Sequence, residues 1–246
     1  MLKEKDCIFG IRPVIEAIKA GKQIDRLLIK HGLQGPLYHE LMKEVKQHGI
    51  VWQIVPVERI ELVTRKNHQG VLAWLSLIEY QHITNLLPMI WEKGEDPLII
   101  VLDGISDVRN FGAIVRTAEC LGAHAVVIPE KGSARITADA VKTSAGALHT
   151  FPVCREKSIV KTVDFLKKSG LKIMSATERS DSVASGEPLT GPSALILGSE
   201  DKGISRELLD LSDHRISIPM TGTINSLNVS VAAGILLYEI IRQRSA

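Results

Sequence analysis

The sequence predicts an α/β protein in two parts: a small α/β domain over residues 1–76, a linker over 77–96, and a larger domain over 97–246 with a parallel sheet covered by helices on both faces. Three observations carry this prediction. Beyond residue 97 the apolar segments LIIVLD, HAVVIP, LKIMSA, SALILG and HRISIP alternate with helix candidates at 110–121, 138–147, 156–169, 203–210 and 228–243. Continuous apolar strands separated by helices belong to parallel sheets buried on both faces. Between Glu79 and Pro97, acidic residues, Pro88 and Gly94 interrupt the pattern around a short apolar helix near Leu86–Trp91. The charge also divides there: residues 1–76 hold 12 Lys+Arg against 8 Asp+Glu, net +4, whereas residues 77–246 hold 18 against 20, net −2.

In the front part, GIRPVIEAIKAG reads as an amphipathic helix, with Pro13 in its first turn, a stripe at Val14, Ala17 and Ile18, and Gly21 as its stop. IDRLLI follows as a strand. LYHELMKEVKQHG then places Leu37, Tyr38, Leu41, Met42 and Val45 on one helical face and ends at Gly49. IVWQIV is a second strand, VERIELV a brief helix, and GVLAWLSL a closing strand entered through the turn Asn67-His68-Gln69-Gly70.

Composition narrows the function classes. With 246 residues, 45% of them apolar and 24% charged, the chain is globular rather than disordered, collagenous or coiled-coil. Its three cysteines, Cys7, Cys120 and Cys154, stand far apart without a C-x-x-C pair, which excludes a disulfide framework and a thiolate zinc site and predicts reduced, cytoplasmic thiols. No metal site is expected. The charged start MLKEKDCIFG lacks the apolar core of a signal peptide, and no apolar stretch reaches the roughly 18–20 residues of a membrane span. A soluble, cytoplasmic protein is expected. The surplus cations of the front part favour a polyanionic partner, although Phe9, Tyr38, Trp52 and Trp74 are too few for an extended base-stacking platform.

Three loops hold the candidate chemistry, all at positions where a parallel sheet binds ligands, beyond the C-terminal strand ends. In DGISDVRNFGAIVRTAECLG, Asn110 can cap a helix on which Arg116 stands among apolar residues; a buried Arg116 would need an ion-pair partner. The segment has no G-x-G-x-x-G, which argues against a nicotinamide-dependent oxidoreductase. In LILGSEDKGIS, Gly198 and Gly203 permit close backbone approach to a ligand, and Glu200 can accept from an amine, a hydroxyl or Arg116, or stand as a solvated loop carboxylate. Ile204 and Ser205 replace the Lys and Ser/Thr of a phosphate-binding loop. In SIPMTGTINSLNVSVAAGILLYEI, Ser226 and Asn228 can cap a final helix that is apolar nearly all round and therefore buried within the domain or against a second subunit.

Taken in order, N-F-G-A-I-x-R-T-A, L-G-S-E-x-x-G-I and I-P-M-x-G-x-x-x-S-L-N-V-S-V-A-A-G resemble the three motifs of the SpoU family of S-adenosylmethionine-dependent RNA ribose 2′-O-methyltransferases. Val108 departs from the proline usual there. Residues 1–76, with G-I-R-P-V-I-E-A-I and N-H-Q-G-V-L-A, resemble the ribosomal-protein-like RNA-binding extension of the subgroup that methylates a guanosine of 23S ribosomal RNA.

The resemblance implies a C-terminal segment threaded as a trefoil knot, a homodimer across the knot, and S-adenosylmethionine held by Gly198, Ile218 and Leu227 with Leu197, Met220 and Asn228. It further implies a catalytic set of Arg116, Asn110, Glu200, Ser226 and Asn228. A guanidinium is permanently charged near neutrality, so Arg116 is expected to clamp the substrate phosphate and stabilise the developing alkoxide, the proton leaving through phosphate or water if Arg116 does not take it. Asn110, Ser226 and Asn228 would orient ribose and arginine, and Glu200 would fix its loop or pair with Arg116. Lys3, Lys5, Arg12, Lys22, Arg26, Arg65 and Lys66 would contact phosphates of RNA, not DNA. The alternatives are a transfer RNA guanosine 2′-O-methyltransferase and, in another class, a non-catalytic RNA-binding or ribosome-assembly factor.

Overall fold

A computed structural model describes residues 7–178, 184–186, 188–223 and 226–245. The chain divides into two compact units, Met1–Glu79 and Tyr80–Ala246. Among the described residues no helix is long and apolar enough to cross a membrane.

The first unit runs β1 (Cys7–Phe9), α1 (Ile11–Lys19), β2 (Ile24–Lys30), α2 (Pro36–Gln47), β3 (Trp52–Val55), α3 (Val57–Glu61) and β4 (Val71–Leu75). Its sheet has the order β1-β4-β2-β3, antiparallel except for the β2–β3 pair. Strand alternation divides the core. Leu27, Ile29, Val71 and Ala73 meet Val14, Ile18, Leu41 and Val45 of α1 and α2 on one face, and Leu28, Leu72, Trp74 and Val55 meet Ile60 of α3 on the other. The short strand β1 was not predicted: three residues are too few to show alternation.

Gly10, at φ 95°, starts α1 without a capping side chain. Its place is taken from across the sheet, where Gln69 Oε1 accepts the Ile11 N–H at 3.2 Å. Gln69 is itself at φ 50°, and Gly70 donates its N–H to His68 Nδ1 at 3.0 Å. The two motifs of the front part are therefore joined by this side-chain contact and by the Gly10 N–H, which donates to the Val71 carbonyl at 3.0 Å.

The second unit runs β5 (Tyr80–Gln81), α4 (Ile83–Glu92), β6 (Leu98–Asp103), α5 (Val108–Cys120), β7 (Ala125–Pro129), α6 (Ala138–Thr143), β8 (Val153–Glu156), α7 (Ile159–Lys168), β9 (Lys172–Ala176), β10 (Ser193–Gly198), α8 (Arg206–Leu211), β11 (His214–Ile216) and α9 (Val229–Arg244). Seven strands pair in the order β11-β9-β10-β6-β7-β8-β5, and every pair is parallel. Ile99, Val101, Val127 and Ile196 point into a core with α4, α7 and α8. On the other face α5 packs against α6 and α9, burying Phe111, Ile114 and Val115. The expected topology, with helices on both faces, is what the strands form.

Several local expectations differ from the fold. The stretch 77–96 contains β5 and α4, and Ile83, Leu87 and Ile90 enter the second unit's core. Strand β8, VCRE, escaped prediction because only two of its four residues are apolar. The helix expected over 138–147 stops at Thr143, because the chain then turns through Ala145 at φ 51° and Gly146 at φ 91°. The expected knot depends on the path of residues 179–183 and 224–225, which lie outside the described residues, as do Lys3 and Lys5.

Two groups show how the second unit is closed. Arg244, near the end of α9, donates to the carbonyls of Asp96, Pro97 and Gly191 and to Ser193 Oγ, tying the entries of β6 and β10 to the last helix. Burial lowers its pKa from the ordinary arginine value. Cys154 in β8 is fully buried, and desolvation, with Glu156 nearby, pushes its thiol up to about 12. Cys120, at the end of α5, is exposed.

Gly112 lies inside α5 and serves helix packing: a Cβ there would stand 2.7 Å from the Ala140 carbonyl oxygen and 2.9 Å from Thr143 Cβ. Gly112→Ala is expected to destabilise the protein by about 1–3 kcal/mol in urea denaturation. Gly234→Ala is the control. A Cβ there meets Thr117 Cγ2 at an ordinary 3.7 Å, so the helix-propensity gain of roughly 0.5–1 kcal/mol should show as unchanged or raised stability.

Candidate active site

Parallel pairing brings the ends of β6, β9, β10 and β11 to one edge of the sheet, and the loops leaving them build the site. Asp103 closes β6 and accepts the Ser205 N–H on Oδ2 at 2.7 Å, linking that strand to the loop after β10. Asp107, not Asn110, caps α5: its Oδ1 accepts the N–H groups of Arg109 and Asn110 at 2.9 and 2.8 Å. Both residue types suit a cap, and the one that begins the helix lies three positions earlier than expected. The Asn110 side chain is thereby free for another use.

That use is a closed network. Asn110 Nδ2 donates to Glu200 Oε1 at 3.1 Å, while Asn228 Nδ2 donates to Glu200 Oε1 at 2.9 Å and to Asn110 Oδ1 at 3.0 Å. Asn228 also caps α9, its Oδ1 accepting from the Ser230 N–H at 2.9 Å and from Ser230 Oγ at 2.6 Å. Residues from three loops, 118 positions apart at the extremes, thus meet through charge-assisted hydrogen bonds on one carboxylate.

Beside the network lies a cavity of about 480 Å³, walled by the ends of β9, β10 and β11 and the start of α9. Leu197, Gly198, Ile218, Met220, Leu227 and Ser226 all line it, as does Glu200. Asn228, expected among the cofactor contacts, does not: its side chain is engaged in the cap and the network. Gly198 has an internal reason to be glycine, because a Cβ there would overlap the Gly203 carbonyl across the tight turn 199–203, where Gly203 donates its N–H to Ser199 O at 2.8 Å.

Arg116 stands apart. It is exposed on α5, so no buried ion pair forms, and among the described residues no partner engages it. Glu200 does not pair with it. Six residues along a helix amount to about 240° of rotation, so Arg116 faces away from Asn110 and shares its face with Arg109. The structure therefore unites Asn110, Glu200 and Asn228 and leaves Arg116 outside their network.

In the first unit the expected phosphate contacts are spread out. Arg12 is exposed in the first turn of α1, and Lys66 lies 5.9 Å from the Phe9 ring centroid at the same end of the sheet. Lys22, before β2, is at the opposite end. Arg26 is half-buried in β2 and donates to Gln53 Oε1 at 2.7 Å, and Arg65 is exposed after α3.

The cavity suits an adenosyl cofactor. Its volume falls in the roughly 300–1,000 Å³ range of small-molecule sites, its floor of Leu197, Ile216 and Leu236 can cover a base, and carboxylates at the rim suit a cation. The SpoU rRNA methylase family matches residues 97–238, and the substrate-binding domain of RNA 2′-O ribose methyltransferases matches residues 7–81. The chain belongs to the SpoU family. It is 33% identical to YacO of Bacillus subtilis, assigned to the TrmH family of tRNA/rRNA methyltransferases, over 100% of this chain and 98% of that one. Among solved structures it resembles the SpoU methyltransferase AviRb of Streptomyces viridochromogenes in complex with S-adenosylmethionine (TM-score 0.61, 26% identity, 96% of this chain and 89% of that one). It also resembles a TrmH/SpoU tRNA-modifying enzyme of A. aeolicus (TM-score 0.57, 32% identity, 61% and 77%). The protein is accordingly an enzyme, an S-adenosylmethionine-dependent RNA 2′-O-ribose methyltransferase acting on tRNA or rRNA, and its first unit carries an RNA substrate-binding domain.

Sequence reasoning missed Asp107 as the cap and the contribution of β9 to the cavity, where Thr177 and Glu178 follow the strand. Asp107→Ala is expected to cost about 1 kcal/mol in denaturation through loss of the α5 cap. Asn110→Ala leaves that cap in place. Its effect should instead couple to Asn228→Ala, with a double-mutant interaction energy of about 0.5 kcal/mol or more.

Proposed function

We propose that the enzyme methylates the 2′-hydroxyl of a guanosine in 23S rRNA, acting in the cytoplasm as a homodimer. The reading is carried chiefly by the network of Asn110, Glu200 and Asn228 at the mouth of a cavity of cofactor size. The cofactor supplies an electrophilic methyl group on a sulfonium. Leu197, Gly198, Ile218, Met220 and Leu227 hold it in the cavity, while Asn228 acts from the network that closes the site. Ser226, at the cavity wall, and the amides of Asn110 and Asn228 orient the ribose, and Glu200 fixes the geometry of both amides.

Arg116 clamps the phosphate of the target nucleotide and stabilises the alkoxide that develops on the ribose oxygen. Its exposure, and the absence of a partner among the described residues, leave the guanidinium available for that task. A guanidinium is a poor base, so the hydroxyl proton leaves to phosphate or water. Val231, Ile235 and Tyr238 form an exposed apolar face on α9, suited to burial against a second copy.

The first unit selects the RNA, with Arg12, Lys22, Arg26, Arg65 and Lys66 supplying phosphate contacts. A ribosomal target is supported by this unit, since the resembling tRNA-modifying structure spans only 61% of the chain. The 32% identity to that same protein favours a tRNA guanosine as the second reading.

Two measurements test the proposal. Arg116→Ala should lower radiolabelled methyl transfer by on the order of 100-fold or more while leaving S-adenosylmethionine affinity unchanged in calorimetry; near-normal turnover removes the arginine from the chemistry. Assayed against separated RNA fractions, methyl incorporation should concentrate in 23S rRNA. Incorporation into tRNA instead selects the second reading.

A further inference from the structure

We infer that Glu178 is a cofactor-binding residue whose carboxylate takes the cis-diol of the adenosine ribose. The inference rests on the cavity being the S-adenosylmethionine site. Glu178 follows β9 by two residues, is exposed, and lines the cavity. Strand register fixes its neighbourhood. Ser175 pairs with Ile196 of β10, and Ala176 pairs with Ile216 of β11. Two residues further on, Glu178 comes level with Ser199 on one side and Ile218 on the other. Thr177 holds this exit in place by donating its N–H to the Ile216 carbonyl at 3.0 Å.

The lateral order β11-β9-β10-β6 then gives the cavity a direction. The network of Asn110, Glu200 and Asn228 lies on the β10–β6 side, where α5 begins. A cofactor presenting its sulfonium to that side leaves its nucleoside over β9 and β11, against Ile216 and Leu236. A ribose there offers two adjacent O–H donors. A carboxylate offers two acceptor oxygens, and hydrogen bonds to it are charge-assisted.

The other charged lining groups do not meet this need. Glu200 already accepts from two amides, Asp201 and Lys202 belong to the turn after β10, and an ammonium such as that of Lys202 has no acceptor to offer. Among the described residues Glu178 has no hydrogen-bond or ion-pair partner, so its oxygens are available to a ligand.

Calorimetry with three probes tests the inference: S-adenosylhomocysteine, 5′-methylthioadenosine, which lacks the amino-acid end, and 2′,3′-dideoxy-5′-methylthioadenosine, which lacks the diol. Glu178→Ala should weaken the first two by the same factor, on the order of tenfold, as expected for losing hydrogen bonds to a charged group, and leave the third unchanged. Glu178→Gln should recover part of the loss. Unchanged affinities, or a loss confined to S-adenosylhomocysteine, overturn the assignment.

Ile218→Trp, which fills the cavity, separates the two levels of the inference, with its folding verified by circular dichroism. Retained binding in that variant overturns the cavity as the cofactor site and the role of Glu178 with it. Abolished binding together with a silent Glu178→Ala overturns the role of Glu178 alone.

Discussion

The all-parallel pairing of seven strands is the constraint from which the rest of the second unit follows. Parallel neighbours need a crossover between every pair, and the crossovers that carry α4 to α8 cover both faces with helices and leave the C-terminal strand ends along a single edge. Loops separated by up to 118 residues are therefore delivered to the same place. Three short hydrogen bonds then suffice to join Asn110, Glu200 and Asn228. The sheet does the long-range work, and the side chains settle only the last few ångströms.

The network shows how helix capping and contact between loops divide the labour of neighbouring residues. Asp107 satisfies the first N–H groups of α5, so Asn110 need not. Asn228 does both jobs at once: its carbonyl oxygen caps α9 and its amide nitrogen reaches Glu200 and Asn110. Because one atom of the side chain is pinned by the helix, the other is aimed without a separate support. Pre-organisation of this kind is what positioning catalysis requires, since orienting the reactants can account for several kcal/mol of a barrier.

Much of this was legible in the sequence, for physical reasons that differ by element. LIIVLD and SALILG are buried on both faces, so their uninterrupted apolar character announced them. VCRE and the two-residue β5 carry too little pattern to separate from a loop, and the helical segment around Pro88 looked like part of a connector because its breakers outweighed its apolar face. The three loops were legible as a set through their resemblance to the SpoU motifs, and the residues at the cavity wall follow from it. What no local pattern encodes is which side chain faces which. The ion pair that a buried Arg116 would have needed, the pairing with Glu200 offered as one option, and the cap at Asn110 were each chemically reasonable and each decided otherwise by helix phase or by a competing residue three positions away. Glu178 was passed over because a polar residue after a strand is ordinarily just the start of a turn.

The placement of the three cysteines has a practical side. Cys154 sits inside the sheet with its proton held tightly, and Cys120 stands in solvent at the far end of the helix that begins beside the network of Asn110, Glu200 and Asn228. Thiolate character governs how fast a cysteine reacts with peroxide or maleimide. Cys120 is thus a natural attachment point for a spectroscopic reporter on α5, and ageing of the purified enzyme should leave its chemical record there long before it touches the interior.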